Sequence, residues 1–432
     1  MKSGMVGLPG MKGGKARMFL VKLAFKNLTR HRKRTLITAA VIALAVVIYL
    51  MTDSLLIGMV DKSFENVIDF ESGHIQIVNQ NYWEEREDLP LKNLIRPDRE
   101  LLTFLQKVDG LKGLTPVLTF SATLNNGIEE IPVVAQGIDP QSYSQVLRAG
   151  EYLVEGEFLT GNKSTAVMGK TLAKLMDLKT GDYITLVIKS KEGTFNTIDV
   201  QISGLVDSPN PSINENIVFV PLEIARQALN VRGMVSQIII RVEDRIRAVE
   251  TARLLSDDLQ EAGSSLRAFS WRKSAEYIVA LNKAERVETQ MILGIILLIA
   301  AIGIINFVVL AALERMEEIG MMKALGLKQW EIVIVFVMEA VGVSLIGGII
   351  GCLVGGAVVA YLVFYGVDIF SLGGEDAISS MGIPVLGRIY GGFNPGSFIF
   401  VFSYSVIVSL LVSIFPARWA ARKDPVKAIY HR

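Results

Sequence analysis

Apolar positions along the chain gather into four long runs with almost no charge inside them, at about residues 35–60, 291–313, 332–364 and 398–415. A helix rises ~1.5 Å per residue, so about 18–20 apolar residues cross the hydrocarbon layer of a bilayer. Each run reaches that length, and each is predicted to be a membrane-spanning helix. Four separate runs of this kind exceed what the core of a soluble protein requires. Pro416 is expected to end the fourth, because proline cannot continue a helix interior. The first run is read as an anchor: its basic leader and apolar stretch are too long for a signal peptide, and no A-x-A site follows it.

Between the first and second runs the pattern changes. Polar and apolar residues alternate over 73–79 and 182–189, which predicts strands, and 198–206, 216–220 and 235–242 add three more. Helical periodicity occupies 98–107, 171–176, 221–229 and 245–260, and the proline- and asparagine-rich stretch 207–216 reads as a loop. A further helix over 274–289 is expected to lead into the second span. The fold class that results is an α-helical membrane protein with four transmembrane helices and a large α+β extracytoplasmic domain, in one or two lobes, inserted between helices 1 and 2. The division is 1–34, a basic tail with an interfacial helix; 35–60, the first span; 61–286, the outer domain; and 287–432, the remaining three spans. In the interfacial helix, Leu20, Leu23, Ala24 and Leu28 form an apolar stripe beside Lys22 and Lys26.

Charge orients this plan. The net charge of +1 conceals a segregation: residues 1–34 hold ten Lys and Arg and no acid, whereas 61–286 carry a net −7. Basic residues flank the cytoplasmic ends of membrane helices. They cluster before the first span (Lys22, Lys26, Arg30, Arg32, Lys33, Arg34) and after the fourth (Arg418, Arg422, Lys423, Lys427, Arg432). Both termini are therefore expected in the cytoplasm and the acidic domain outside, in the periplasm of a cell with two membranes. A uniformly soluble enzyme would not separate charge in this way.

Signs of bond-breaking chemistry are poor. The single cysteine, Cys352, excludes a disulfide framework and a four-cysteine zinc site. His31, His74 and His431 are too scattered for a triad or a metal site, and H-E-x-x-H and G-x-S-x-G are absent. Gly169-Lys170-Thr171 resembles the end of a phosphate-binding loop, but Ser164 stands where the earlier glycine belongs, so it reads as a turn into a short helix. The chain is expected to be no enzyme, with no catalytic residue, no cofactor and no metal, and nothing suggests nucleic acid.

Two features after the outer domain carry more information. Residues 313–326 read as a short helix between the second and third spans, stopped at Gly326. Met316, Ile319, Met322/Lys323 and Gly326 share one face, while Glu317, Glu318 and Met321 point elsewhere. Methionines and charges together on a short helix suit docking onto another protein, against the plainer alternative of a hairpin that only caps the membrane. In the third span Gly347, Gly351 and Gly355 recur every fourth residue, beside a second row of Gly348, Cys352 and Gly356, a spacing that lets helices approach closely in lipid. Glu339 lies inside the same span and Asp53 near the outer end of the first. A charge at such depth costs about 2.5–3.5 kcal/mol on insertion scales and should face protein or water.

Taken in order, KLAFKNLTRHRKRTLIT, ERMEEIGMMKALG, MEAVGVSLIGGIIGCLVGG and PARWAARKDPVKAI resemble signatures of the FtsX-like permeases found in ABC transporters of the MacB and Lol type. The four-span plan is similar as well. The resemblance implies that 313–326 is a coupling helix seated in a groove of a separate cytoplasmic ABC ATPase, with Arg315, Glu317, Glu318, Gly320, Met321, Lys323, Ala324 and Gly326 at the docking surface. It also implies a second permease subunit, like or unlike, and an outer domain that converts ATP-driven helix motion into work outside the membrane (mechanotransmission). Within the family, the segments GHIQIVNQNYW and VVAQGIDP, the lack of a fused ATPase domain and an outer domain too large for the cell-division branch resemble the lipoprotein-releasing permeases. The expected cargo is then a lipoprotein lifted from the bilayer and passed to a periplasmic carrier. The alternatives are MacB-type export of peptides, antibiotics or toxins, and FtsX-like signalling to a cell-wall hydrolase. An intramembrane enzyme is the weakest.

Overall fold

The computed structural model describes residues 28, 32–161, 163–314, 316–324, 327–368 and 388–422. The interfacial helix lies outside these residues except for Leu28, as do Arg315, Gly326, His31 and His431. The chain divides into two compact units, one of Met1–Met59, Lys283–Val367 and Ile389–Arg432, the other of Val60–Asn282 and Asp368–Arg388.

The first unit is helical. The four apolar runs become the helices Arg32–Val67, Glu276–Glu314, Gln329–Tyr365 and Pro395–Arg422, and each contains a stretch long and apolar enough to cross a membrane. One apolar cluster joins Leu28, Ala39 and Ile42 to Ile304, Phe307 and Val308, to Phe336 and Val343, and to Ala417, Ala420 and Ala421. A second joins Ala45, Val46 and Leu50 to Val359 and Val401. The third and fourth helices approach closely enough for Ser409 Oγ to donate to the Ala340 carbonyl at 2.9 Å.

One expectation is corrected here. Pro416 does not end the fourth helix, which continues to Arg422. An interior proline costs a helix about 3 kcal/mol, but Ser413, Pro416, Ala417, Ala420 and Ala421 form a buried face, and its packing carries the helix through the lost hydrogen bond. The helix expected over 274–289 to lead into the second span is present. After a short turn, Trp271–Ser274, one helix runs from Glu276 to Glu314 through the whole second apolar run.

The second unit is built on a ten-stranded sheet: β1 (Ile75–Asn79), β2 (Leu111–Asn125), β3 (Glu130–Ile138), β4 (Leu153–Gly156), β5 (Thr165–Gly169), β6 (Tyr183–Lys189), β7 (Phe195–Val206), β8 (Ile217–Pro221), β9 (Gln237–Val242) and β10 (Leu266–Ser270). The order is β10-β1-β9-β2-β3-β8-β5-β7-β4, with β6 paired to β2 and β7. The pairs β3–β8 and β5–β7 are parallel and the rest antiparallel. One connected sheet links all ten strands. Sequence reading found β1, β6, β7, β8 and β9 but not β2, β3, β4, β5 or β10. For β2 the reason is visible in its core residues, where Leu118 and Phe120 enter one core cluster and Val117 the other. Strands covered on both faces lose the alternation that marks a half-buried strand. The stretch 207–216 is not all loop: Pro211–Asn216 is a short helix, with Pro at its start and the Asn210 side chain accepting from Ser212 N at 3.0 Å.

His74 begins the crossing into β1. It is buried, and its Nδ1 accepts the Val242 N–H at 3.1 Å. Burial, and then the nearby Arg241 charge, hold the imidazole below its ordinary value of 6.5, with Asp69 opposing and Lys112 adding slightly. The folded state therefore binds fewer protons than the unfolded chain. The stabilisation is complete above pH 6.5 and is lost as pH falls below that value toward the lowered folded one, with a slope of at most about 1.4 kcal/mol per pH unit. The thermal midpoint of the full chain should fall between pH 7 and pH 5, and His74→Gln should flatten that fall. An equally steep fall in the variant contradicts the assignment.

Candidate coupling helix and helix-packing site

Helix formers from Met316 to Ala324 make a nine-residue helix between the second and third long helices. Its inward face is set by Ile319, which is buried in the cluster that holds Ile332, Phe336 and Ala420, with Met316 and Met322 packed against the same cluster. Gly320 is buried as well. Met321 lies on the other side and is 57% exposed. Glu318 and Lys323 are half-buried and engaged by neighbouring groups. The side chains of Glu317 and Ala324 lie outside the described atoms. The short helix is thus pinned by one face and offers a thioether on the other. Trp330, at the start of the third helix, is also half-exposed. Sequence reading passed over it, although an aromatic side chain at the polar end of an apolar run is a recognisable signal.

The three-glycine row of the third helix meets the first helix. A Cβ on Gly347 would stand 2.6 Å from the Ala39 carbonyl oxygen. One on Gly351 would stand 2.7 Å from Val46 Cβ and 3.0 Å from the Ala43 oxygen, and one on Gly355 would stand 2.7 Å from Leu50 Cδ1. The second row turns elsewhere, with Gly348 facing the Phe402 ring of the fourth helix. Glu339 is 2% exposed and engaged by neighbouring groups. Asp53 accepts a 2.6 Å hydrogen bond from Ser397 Oγ at the start of the fourth helix, so its charge faces protein.

A further contact beside Asp53 escaped the sequence. Gly392 N–H donates to the Ser54 carbonyl at 2.8 Å and Gly391 N–H to the Leu362 carbonyl at 3.0 Å. A Cβ on Gly392 would strike Ile57, and one on Gly58 would strike the Tyr390 carbonyl. The paired glycines before Asn394-Pro395 were the available signal. Together these groups hold the first, third and fourth helices in one packed body. The middle of the second helix leaves Met291, Ile295, Leu298, Ile299 and Ile302 exposed, an apolar surface suited to lipid.

Residues 35–257 match the MacB-like periplasmic core domain, and residues 291–425 match the FtsX-like permease C-terminal family. The chain belongs to the MacB/FtsX-like permease family. It is 26% identical over 419 residues to the macrolide export ATP-binding/permease protein MacB of Haemophilus ducreyi, covering 94% of this chain and 55% of that protein. It is 26% identical over 427 residues to the protein of the same name from Wolinella succinogenes, covering 95% and 60% respectively. This permease chain thus spans little more than half the length of those relatives. The periplasmic region of MacB from Actinobacillus actinomycetemcomitans superposes with a TM-score of 0.35 at 15% identity, covering 50% of this chain and 97% of that one. In this MacB-type permease the apolar helices and the periplasmic-type domain fall in the order of fold expected from the sequence, with the domain between the first and second long helices.

Proposed function

We propose that this permease is the membrane subunit of an ABC transporter. In this reading a separate cytoplasmic ATPase seats on the helix Met316–Ala324, both termini are cytoplasmic, two permease subunits work as a pair, and ATP hydrolysis is delivered to the outer domain as motion. The observation that carries the reading is Met321: an exposed, deformable apolar side chain on a short helix whose opposite face is fixed in the membrane unit by Ile319. A helix held in this way passes a push to the helices beneath it instead of absorbing it.

For cargo, the reading supported by the segments 73–83 and 133–140 is a lipid-anchored protein. Lifting acyl chains from a bilayer costs about 0.8 kcal/mol per CH₂, so three chains of about fifteen carbons would not leave at a useful rate without an energy source. A second reading, efflux of a macrolide-like amphipathic molecule, is favoured by the names of the curated relatives. The test uses vesicles holding the permease and its copurified ATPase. ATP-dependent release of a labelled triacylated lipoprotein is the expected result. ATP-dependent movement of a labelled macrolide with no lipoprotein release selects the second reading, and hydrolysis without either overturns both.

A further inference from the structure

The first long helix does not fray where its apolar run stops. Its last α-helical residue, Val67, is followed by a π-helical turn, Ile68–Ser72, and then by Gly73 at φ +58°. π-turns inside or at the end of α-helices are uncommon and gather at functional positions. Here the wider turn divides the side chains into two sets. Ile68, Phe70 and Ser72 are buried, and they do not enter one core: Ile68 belongs to the cluster on one face of the sheet and Phe70 to the cluster on the other. The intervening Asp69 and Glu71 carry carboxylates, and each is bonded to a different part of the fold.

Asp69 takes two arginines. Arg241 on β9 donates from Nη2 at 2.5 Å, and Arg148 from Nη1 at 3.3 Å. The Arg148 backbone N–H also donates to the Asp69 carbonyl at 2.8 Å. The Asp69–Arg241 pair is largely shielded from water, with the two side chains 18% and 21% exposed, a setting in which an ion pair resists screening better than on an open surface. Glu71 accepts from Nδ2 of the buried Asn210 at 2.7 Å. Asn210 in turn caps the helix Pro211–Asn216. Over the turns before it, Asn66 Nδ2 donates to the Pro209 carbonyl at 3.3 Å, Phe64 meets the Trp271 ring edge-on at 5.1 Å between centroids, and Asp61 receives Arg245 at 2.6 Å. The contacts surround the segment 61–71. They reach β9, the segment 207–216, Arg148 and the Arg245–Trp271 region, and none of them is local in sequence.

We propose that Asp69 and Glu71, on the π-turn, are positioning residues that key the outer end of the first helix to two separate elements of the outer domain, β9 and the segment 207–216, so that rotation of the helix displaces both together. A helix joined through a flexible linker would turn without effect; carboxylates on alternate positions of a widened turn, each bound to a different element, carry a twist of the helix into both elements. This deepens the proposed function and rests on its premise that ATP hydrolysis moves the membrane helices.

The test is hydrogen exchange on the full permease with its copurified ATPase, without nucleotide and after trapping with ATP and vanadate. In the unaltered complex, trapping should change exchange in 207–216 and in 237–242. Asp69→Asn keeps the shape and removes the charge; Glu71→Ala frees the segment 207–216 from the turn and leaves both the Asn210 cap and Asp69 in place. Both should hydrolyse ATP within twofold of the unaltered complex and keep its thermal midpoint. Asp69→Asn should nevertheless lose most of the nucleotide-dependent change in 237–242, and Glu71→Ala most of that in 207–216; Asp69→Glu should restore the first. Full-size responses in Asp69→Asn and Glu71→Ala overturn the joint while leaving the transporter reading intact. No response in the unaltered complex overturns the transporter premise itself. If Asp69→Asn lowers the midpoint, Glu71→Ala alone decides.

Discussion

Leucine in place of Gly351 should split the packed body of the first, third and fourth helices. The added Cβ alone would stand 2.7 Å from Val46 Cβ and 3.0 Å from the Ala43 oxygen, well inside contact, and one of those partners is backbone that cannot turn aside. Overpacking of an interior commonly costs about 1–3 kcal/mol, and here the remaining branched side chain has no space beyond the clash, so the upper end of that range is expected. The thermal midpoint in detergent should drop by several degrees and recovery of monodisperse chain should fall. Gly294→Leu is the matched control, because a Cβ there meets nothing within 4 Å. A Gly351→Leu protein as stable as the control would show that the first and third helices do not pack through this row.

The second large effect is expected at the short helix. Met321→Asp replaces the exposed thioether with a charge on the surface assigned to the ATPase, while Ile319, on the opposite face, keeps the helix in place. Buried anchors of a protein interface are worth at least about 2 kcal/mol when truncated, which corresponds to a loss of about thirty-fold in affinity by the ~1.4 kcal/mol per tenfold relation. Copurification of the ATPase should therefore fail at concentrations where the unaltered chain retains it. Insertion and the thermal midpoint of the permease alone should not change. Retention of the ATPase at the unaltered level would remove Met321 from the docking surface. A charge reversal at Glu318→Lys tests the flank of the same surface and should have the smaller effect, since Glu318 is half-buried and already engaged.

Part of this architecture was legible before any coordinates. Apolar runs long enough for a bilayer need only counting, because backbone polar groups in lipid must be satisfied by protein, and the helix does so within a single segment. The glycines at 347, 351 and 355 had to share a helix face by the 3.6-residue period. The face of Ile319 followed in the same way. Two strands of the outer sheet were hidden for an equally physical cause: β2 and β3 carry Phe120 and Ala135 into one cluster but Val117 and Ile138 into the other, and a strand buried on both sides has no polar face to reveal its period. Pro416 misled because the rule about proline is local, whereas the alanines around it are held by packing.

Local periodicity, composition and charge thus determined that the chain carries four long apolar helices, an acidic domain after the first of them, a short helix with methionine on its outer side, and a row of glycines able to admit a neighbour. Tertiary structure decided which neighbour. The row receives Ala39 to Leu50 of the first helix, Asp53 answers Ser397, and Gly392 reaches Ser54. It also decided that Asp69 meets Arg148 and Arg241, 79 and 172 residues further on. Pairings across such distances depend on the path of the whole chain, because short-range propensity constrains each residue's own conformation and leaves its distant partners to the fold.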